Sequence, residues 1–585
     1  MIRISRYLKP YLLQILIILG LTYLQVMVNL QLPDYLARIV NEGIVLQNQD
    51  LILHTGLEML LISLFGGVCT ILAGFFAARV ATAFARDMRA KLFTKVESFA
   101  LTEFNTFSTS SLITRSTNDI QQVQSVLVMI LRIVISAPIT AVGAIIKAYS
   151  IAPSMTWIMA LAVATLITII VIVFALAIPK FTLLQKLTDK LNLVARENLT
   201  GIRVIRAFNA EKTEQKKFEG VNTDLTKTNL FVSRITVLLQ PVMIFILSLT
   251  SVAIIWFGSH AISTNDLQIG NMLAFMQYAM QVIISFLLLS IMFILIPRAL
   301  VSARRITEVM DTDLSIKDPK QPKQTNPKTK GVIEFKDVTF SYNKADTPVL
   351  QNISFVANPG ETTAFIGSTG SGKSTLINLI PRFFDVSFGQ VLIDGTDIRD
   401  IKQEELHDKI GYVPQKAVLF SGTIAANIKF GDKQATDEQL QKAAGIAQAV
   451  EFISALPDKF NTSTAQEGTN FSGGQKQRIS IARAIIKNPE IYIFDDSFSA
   501  LDFKTDAKLR SALEHQTKGK TVLIVAQRIN TIMFAEKIIV LDEGRIVGTG
   551  THRQLMDSCA VYQEIASSQL SEAELRDSLS EEKRS

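Results

Sequence analysis

A glycine-rich run in the second half of the sequence carries its clearest chemical signal. It matches the pattern G-x-x-x-x-G-K-[ST] and consists of Gly367, Ser368, Thr369, Gly370, Ser371, Gly372, Lys373, Ser374 and Thr375. The apolar run 362–366 predicts a buried strand and residues 375–380 predict a helix start, so backbone N–H groups would point at phosphate oxygens. Lys373 would reach the β- and γ-phosphates, and the Ser374 hydroxyl would ligate Mg²⁺. A plain glycine-rich turn is the alternative, but the complete motif in this context favours nucleotide binding.

Further residues that could serve the same site follow along the chain. Tyr342 precedes the loop and could stack its ring on an adenine base. Gln415 follows an apolar strand and could ligate Mg²⁺ or position a water molecule. The remaining candidates are Phe471, Ser472, Gly473, Gly474, Gln475, Asp495, Asp496, Asp502 and Gln527. From Gly331 on, strand and helix patterns alternate, which is typical of a soluble α/β domain.

The composition indicates a membrane protein with no nucleic-acid partner. The chain has 585 residues, enough for several domains, and 48% of them are hydrophobic, concentrated before residue 300. The formal net charge is +7 without a long Lys/Arg block. A basic cytoplasmic face beside an anionic leaflet explains this sign more simply than nucleic-acid binding does. The two cysteines, Cys69 and Cys559, form no metal or disulfide pattern.

Six apolar segments before the glycine-rich loop are each long enough to cross a bilayer as a helix. The predicted spans are Leu12–Leu32, Gly56–Val80, Val123–Ala148, Trp157–Ile178, Ile235–Ser259 and Met272–Ile296. Buried helices of a soluble protein are excluded because six such segments would leave too little amphipathic surface. The two long links carry many basic residues, so the positive-inside rule places them in the cytoplasm. We therefore predict a multi-pass protein of the cell membrane with both termini cytoplasmic.

These patterns divide the chain into four parts. Residues 1–312 form a transmembrane domain with two long cytoplasmic loops, and residues 313–330, rich in Asp, Lys, Pro and Thr, form a linker. Residues 331–570 form the nucleotide-binding domain, and residues 571–585 form a charged tail. The predicted fold class is an all-α six-helix transmembrane domain followed by an α/β P-loop domain.

The chain resembles the ATP-binding-cassette (ABC) exporters over essentially its whole length. The run Ser472–Gln475 at a helix start, between a phosphate loop and an acidic strand end, is highly specific to that superfamily. Six spans with long cytoplasmic extensions match a half-transporter of the type I exporter layout. The resemblance implies a cassette with a helical subdomain that binds ATP, and Mg²⁺ held by Ser374, Gln415 and Asp495. It also implies a dimer, because each ATP would lie between the phosphate loop of one cassette and the Ser-Gly-Gly-Gln helix start of the other.

Two positions depart from the family pattern. The family usually has Glu where this chain has Asp496, whose carboxylate lies about 1.5 Å further back, and such a displacement can lower a rate on the order of 100-fold. The family usually has His where this chain has Gln527, which can donate a hydrogen bond to a γ-phosphate but cannot become charged. These two residues and Asp502 occupy the catalytic positions. The alternative is that both substitutions are neutral and do not affect activity.

By resemblance, paired losses of this kind mark the degenerate subunit of a heterodimeric exporter. A partner half-transporter would supply the catalytic Glu and the switch His, and residues 471–475 of this chain would complete the partner's site. The tips of the two cytoplasmic loops, near residues 107–114 and 200–207, match the family's coupling helices, which dock into the cassettes. For the second tip, the alternative to a coupling helix is a solvent-exposed bend in a helix.

The six predicted spans give little indication of which substrate is transported. Arg132 is an ionisable residue within a predicted span, and snorkelling or a buried pairing explains it at least as well as a functional role. Trp256, Phe275 and Phe286 could line an apolar drug pocket, although such residues more often face lipid or core. The sequence predicts an ATP-driven heterodimeric exporter of drugs or other lipophilic small molecules. A homodimeric lipid flippase and an ATP-gated channel or regulatory membrane subunit are the alternatives.

Overall fold

The computed structural model describes residues 6–325, 329–342, 347–571 and 574–575, apart from the side chains of Thr182, Ile291, Phe293 and Ile294. The chain divides into two compact units. One comprises Met1–Glu97 and Thr109–Thr312, and the other comprises Ser98–Ser108 and Asp313–Ser585. Residues 326–328 of the predicted linker and most of the predicted tail lie outside the described residues.

The first unit is built from six helices, within the described residues, that are long and apolar enough to cross a membrane. We call them spans 1 to 6: Arg6–Ile44, Gln49–Glu97, Thr109–Ile151, Pro153–Thr200, Glu211–Ser263 and Ile269–Asp311. Their α-helical parts in spans 1, 3 and 4 are Leu12–Arg38, then Thr109–Thr114, Ile120–Met129 and Ile135–Ile151, then Thr156–Thr200. The prediction of six spans is confirmed, and every helix continues beyond its predicted apolar segment.

Spans 1 and 3 contain π-helical turns, at Ile39–Ile44, Arg115–Asp119 and Ile130–Val134. A separate short helix, Ile202–Ala207, lies between spans 4 and 5 at the predicted loop tip. Such π-helical turns are rare insertions that often mark functional segments of a helix.

The predicted pocket-lining residues take different positions in the first unit. Phe275 is fully buried among side chains of spans 1, 3, 4, 5 and 6, with Phe286 packed against the same cluster. Trp256 is largely exposed, as is Arg132, which lies beside Gly74 of span 2. Phe275 therefore belongs to the helix packing of this chain and not to an open pocket wall.

Three polar side chains from different spans meet within the first unit. The Lys147 ammonium of span 3 donates to Asp34 Oδ2 of span 1 at 2.7 Å, and the Tyr278 hydroxyl of span 6 donates to Asp34 Oδ1 at 2.7 Å. Charges within a bilayer are costly unless they are paired, so this cluster links three helices. The cluster was not predicted from the sequence, although the single lysine inside the predicted span Val123–Ala148 was an available signal.

The segment predicted as a linker, 313–330, makes specific contacts within the second unit. The Ser315 N–H donates to Oε1 of Glu103, which belongs to the first cytoplasmic loop, at 3.0 Å. Oδ1 of Asp318 accepts from the backbone N–H of Gln403 at 3.0 Å. The described part of the linker is thus held at several points, unlike a flexible spacer.

The cassette of the second unit contains three sheets among the described residues. The strands are β1 Ile333–Phe340, β2 Leu350–Ala357, β3 Thr362–Gly367, β4 Phe388–Ile393, β5 Thr396–Asp397, β6 Ile410–Val413, β7 Gly422–Thr423, β8 Ser463–Thr464, β9 Ile491–Asp495, β10 Thr521–Val525, β11 Lys537–Asp542 and β12 Arg545–Gly550. The main sheet has the order β12-β11-β3-β10-β9-β6 and is parallel except for β12. An antiparallel sheet has the order β2-β1-β4-β5, and β7 pairs with β8.

Helices cover the sheets, and the apolar strands are buried between layers. The helices of the second unit are Leu101–Phe107, Lys373–Leu379, Gln403–Asp408, Ile424–Ile428, Asp437–Ile446, Val450–Ser454, Gly473–Lys487, Phe503–Gln516, Ile529–Ile532, His552–Ser558 and Ala560–Gln569. Every residue of β9 is buried, as expected for a parallel strand covered on both faces. The predicted fold class, a six-helix transmembrane domain followed by an α/β nucleotide-binding domain, is confirmed.

Replacing Lys147 by Met should destabilise the first unit, because it leaves the Asp34 carboxylate without its cation. We expect a loss of about 1–3 kcal/mol, less than for a fully buried pair because the two side chains keep exposures of 41% and 35%. The measurement is the thermal unfolding midpoint of the full chain in lipid nanodiscs.

The matched control is Arg38→Ala, which removes a more exposed ion pair with Glu42 on span 1, with exposures of 52% and 54%. It should change the stability by about 0.5 kcal/mol or less. The double variant Asp34→Asn with Lys147→Met should recover part of the loss. An unchanged midpoint for Lys147→Met alone would show that the pair does not stabilise the helices.

Candidate functional site

Four neighbouring parallel strands bring the predicted site residues together. The glycine-rich loop follows β3, Gln527 follows β10, Asp495 ends β9 and Gln415 follows β6. The order β3-β10-β9-β6 places these four strand ends side by side. Because carboxyl ends of parallel strands meet at one edge of a sheet, residues far apart in sequence converge there.

Two glycines of the loop occupy backbone positions that exclude a side chain. Gly367 has φ +155°, and a Cβ there would collide with the carbonyl oxygen of Leu541. Gly372 has φ +95°, and a Cβ there would lie 2.7 Å from Leu350 Cδ2. Glycine alone adopts such conformations without strain. The loop can therefore curve tightly enough for successive N–H groups to surround an anion.

The ammonium group of Lys373 lies inside the loop. Its Nζ donates to the carbonyl oxygens of Gly367 at 2.9 Å and Ser368 at 2.7 Å. Burial lowers the pKa of the amine, and the carboxylates of Asp495 and Asp496 oppose this shift. Charges attract each other more strongly where water is excluded. A phosphate that entered the loop would therefore attract the Lys373 ammonium strongly enough to replace its two carbonyl partners.

The two aspartates at the end of β9 are both almost fully buried. Burial raises the pKa of the Asp495 carboxyl, and a hydrogen bond from Ser374 Oγ to its Oδ1, at 3.0 Å, opposes the shift. Burial also raises the pKa of the Asp496 carboxyl. Asp496 has φ +44°, in the left-handed region that Asp tolerates better than most residues with side chains. The chain therefore turns sharply between the two carboxylates.

Two amide side chains converge on one oxygen of Asp496. Its Oδ2 accepts from Nε2 of Gln527 at 2.9 Å and from Nε2 of Gln415 at 3.2 Å. An amide can donate to the carboxylate but cannot carry a positive charge. The two predicted departures from the family pattern are thus hydrogen-bonded to each other.

The oxygen atoms at this edge of the sheet are of the kind that binds Mg²⁺ together with ATP. Mg²⁺ commonly takes one or two protein oxygens and completes its coordination with phosphates and water. Ser374 Oγ and Asp495 Oδ1, which are 3.0 Å apart, are suitable oxygens. The described part of the chain contains no group of three or more His, Cys, Asp or Glu residues that could hold a metal ion. A metal that arrives with the nucleotide fits this arrangement.

Tyr342 lies beside the phosphate loop. Its hydroxyl is 2.9 Å from Oγ1 of Thr375, the residue directly after Ser374. The ring makes edge-to-face contacts with Phe340 and Phe384, with centroid distances of 4.9 and 5.3 Å. These contacts orient the ring, and its stacking on adenine stays a prediction.

The Ser-Gly-Gly-Gln run forms the capped start of the helix Gly473–Lys487. Oε1 of Gln475 accepts from the Ser472 N–H at 2.9 Å, and Oγ of Ser472 accepts from the Gln475 N–H at 3.3 Å. Ser472 and Gly473 are exposed, whereas the Phe471 side chain is buried in the cassette core. Phe471 therefore packs inside the domain and does not belong to the surface predicted to face a partner's ATP.

Asp502 also caps a helix. Its Oδ1 accepts from the Thr505 N–H at 2.9 Å at the start of Phe503–Gln516, and this hydrogen bond lowers the pKa of the carboxyl. A role in catalysis is not needed to explain the residue, and that role stays a prediction.

The chain is similar to known proteins over most of its length. The family model described as ABC transporter transmembrane region matches residues 15–286, and the model described as ABC transporter matches residues 350–499. The chain is 39% identical, over 97% of both lengths, to an uncharacterized ABC transporter ATP-binding protein of Mycobacterium tuberculosis. This chain belongs to the ABC transporter family.

Two further comparisons concern a named relative and a solved structure. This ABC transporter is 33% identical, over 88% of both lengths, to the ATP-dependent lipid A-core flippase of Hahella chejuensis. Its fold matches the structure of a bacterial Atm1-family ABC exporter with ATP bound, with a TM-score of 0.80, 24% identity and coverage of 97% and 99%. The chain has the fold of an exporter half-transporter and is a multi-pass membrane protein with a cytoplasmic cassette. The family implies ATP binding, while the roles of individual residues stay predictions.

Replacing Ser374 by Ala should weaken ATP binding only when Mg²⁺ is present, because the variant removes the predicted metal ligand and leaves the loop backbone intact. We expect about a tenfold rise in the dissociation constant of ATP with Mg²⁺ and little change in EDTA. Binding of a fluorescent ATP analogue to the full chain measures both values.

The matched control is Ser354→Ala, which removes a hydroxyl bond of the same length, 3.0 Å, to Asp337 elsewhere in the cassette. It should leave both dissociation constants unchanged. Equal weakening by Ser374→Ala with and without Mg²⁺ would contradict the metal-ligand assignment.

Proposed function

We propose that this chain is the degenerate subunit of a heterodimeric ABC exporter of drugs or other lipophilic compounds. It binds ATP with Mg²⁺ on its own phosphate loop and hydrolyses it slowly there. Its Ser472–Gln475 helix start completes a competent site on a partner half-transporter. ATP binding closes the two cassettes and turns the spans outward, and hydrolysis at the partner's site resets them.

The hydrogen bonding of Asp496 carries this proposal. A carboxylate that polarises an attacking water needs a free oxygen within reach of that water. Asp496 is one carbon shorter than the Glu of the family pattern, and its Oδ2 already accepts from Gln415 and Gln527. Both features favour binding over hydrolysis at this site.

Two exposed surfaces of the chain support the proposal that it associates with a second subunit. The short helix Ile202–Ala207 has no buried side chain, and Phe208 beside it is 79% exposed. On the cassette, Phe420 and Phe430 are exposed and pack on each other at 4.9 Å. Exposed aromatic and apolar groups of this kind commonly become buried on association. We propose that the second loop tip, Ile202–Ala207, docks on the other subunit's cassette.

The alternative of a homodimeric lipid flippase has support from the names of two relatives. A relative with 33% identity is named as an ATP-dependent lipid A-core flippase. A flippase of two identical chains would need hydrolysis at a site containing Asp496 and Gln527. An ATP-gated channel or a regulatory membrane subunit would instead need no hydrolysis at all.

ATP turnover by the purified chain alone tests the proposal. It is compared with the chain co-expressed with a second half-transporter that has Glu and His at the positions of Asp496 and Gln527. We expect turnover in the mixed dimer and at least about 100-fold less in the chain alone. Replacing the partner's catalytic Glu by Gln should abolish turnover in the mixed dimer.

The variant Asp496→Glu with Gln527→His is the matched gain-of-function test. It should raise turnover of the chain alone, because it restores the longer carboxylate and a chargeable side chain. Turnover of about 1–10 s⁻¹ by the unmodified chain alone would overturn the heterodimer proposal and favour a homodimeric flippase. ATP-dependent ion conductance without turnover would favour a channel.

A further inference from the structure

The loop that carries Gln527 is held by the helix Ala560–Gln569 of the cassette. This loop joins β10 to the short helix Ile529–Ile532, which has no side-chain cap from its own preceding residue within the described chain. Gln569 supplies the missing partner, because its Oε1 accepts from the Ile529 N–H at 2.9 Å. A side chain distant in sequence thus replaces the usual N-cap.

The same side chain also bonds the other end of the loop. Nε2 of Gln569 donates to the carbonyl oxygen of Gln527 at 2.7 Å. Its two amide atoms therefore bond the backbone on both sides of Arg528, one as donor and one as acceptor. Such a bidentate contact fixes both the position and the direction of a short backbone segment.

Packing fixes Gln569 relative to this loop. Tyr562, Ala566 and Leu570 are buried in the same apolar cluster as Ile529 and Ile532. The C-terminal helix, Ala560–Gln569, and the short helix after the loop therefore share one core. Movement of the helix end that carries Gln569 away from the loop would require opening of that core, whereas the Gln569 side chain itself is exposed and is held by its two hydrogen bonds.

The held loop leads directly to the carboxylate of the site. The Gln527 side chain donates to Asp496 Oδ2, so the backbone position of Gln527 decides whether its amide reaches the carboxylate. A neutral amide makes weaker hydrogen bonds than a charged imidazolium does. Its placement therefore depends more on the backbone that carries it than on its own attraction to a phosphate.

We propose that Gln569 is a positioning residue that keeps Gln527 in place at the ATP site. This inference rests on the proposed function and deepens it, because it identifies what holds the substituted switch residue of a slow site. The end of the C-terminal helix then influences how long the site retains ATP.

Two measurements on the full chain test the inference in the variants Gln569→Ala and Gln563→Ala. Gln563 lies on the same helix and donates to the Met556 carbonyl oxygen at 2.5 Å, so its loss costs a comparable hydrogen bond away from the loop. Hydrogen exchange of the peptide 526–533 reports on the loop itself. The release rate of labelled ATP with Mg²⁺ reports on the site.

We expect Gln569→Ala to speed exchange of the 526–533 amides about tenfold and release of ATP about three- to tenfold, since two hydrogen bonds are lost. Gln563→Ala should change neither rate. The conservative variant Gln569→Glu keeps the acceptor for Ile529 but not the donor for Gln527, so its ATP release should be faster than in the unmodified chain.

Unchanged exchange in Gln569→Ala, or equal effects of the two alanine variants, would overturn the inference. Faster exchange with unchanged ATP release would also overturn it, because Gln569 would then stabilise the loop without positioning Gln527. Failure of the proposed function is a separate result: it appears as rapid turnover by the unmodified chain and does not alter the exchange measurement.

Discussion

One oxygen of a buried carboxylate ties three strands of the cassette together. Asp496 follows β9, and the two amides that reach its Oδ2, from Gln415 and Gln527, follow β6 and β10 on either side. The two hydrogen bonds require the three strand ends to keep their relative positions. A buried carboxylate that loses its donors is costly, so the site resists small displacements of either loop. The chemistry of the cassette therefore depends on the order and register of its central sheet.

The phosphate loop and the six spans could be predicted because contiguous residues encode them. Gly367 and Gly372 are needed for the local backbone path, and each span contains one long, predominantly apolar run. The Ser-Gly-Gly-Gln run could also be recognised from the sequence, although the motif alone did not reveal that Phe471, the residue before it, is buried. Burial of that ring depends on the core formed by helices distant in sequence.

The contacts that escaped prediction join residues far apart in the chain. Asp34, Lys147 and Tyr278 belong to three different spans, and their meeting depends on how the helices pack. Gln569 lies in a segment whose sequence carries no motif, yet it bonds the backbone of Gln527 and Ile529. Charge or amide groups at such positions look like ordinary surface residues until the tertiary structure places their partners beside them.

The anchored linker changes where the cassette begins as a module. A fragment that started at Gly331 would lack Ile316, which is buried, and Asp318, which accepts from Gln403. The cassette surface that these two residues cover would then be exposed to solvent, and exposed apolar surface is a common cause of aggregation. A fragment that started at Asp313 would still lack Glu103, the acceptor for Ser315. A chimera that joins this cassette to a different membrane domain would therefore have to include two separate stretches of this chain, the one that contains Glu103 and the one that begins at Asp313.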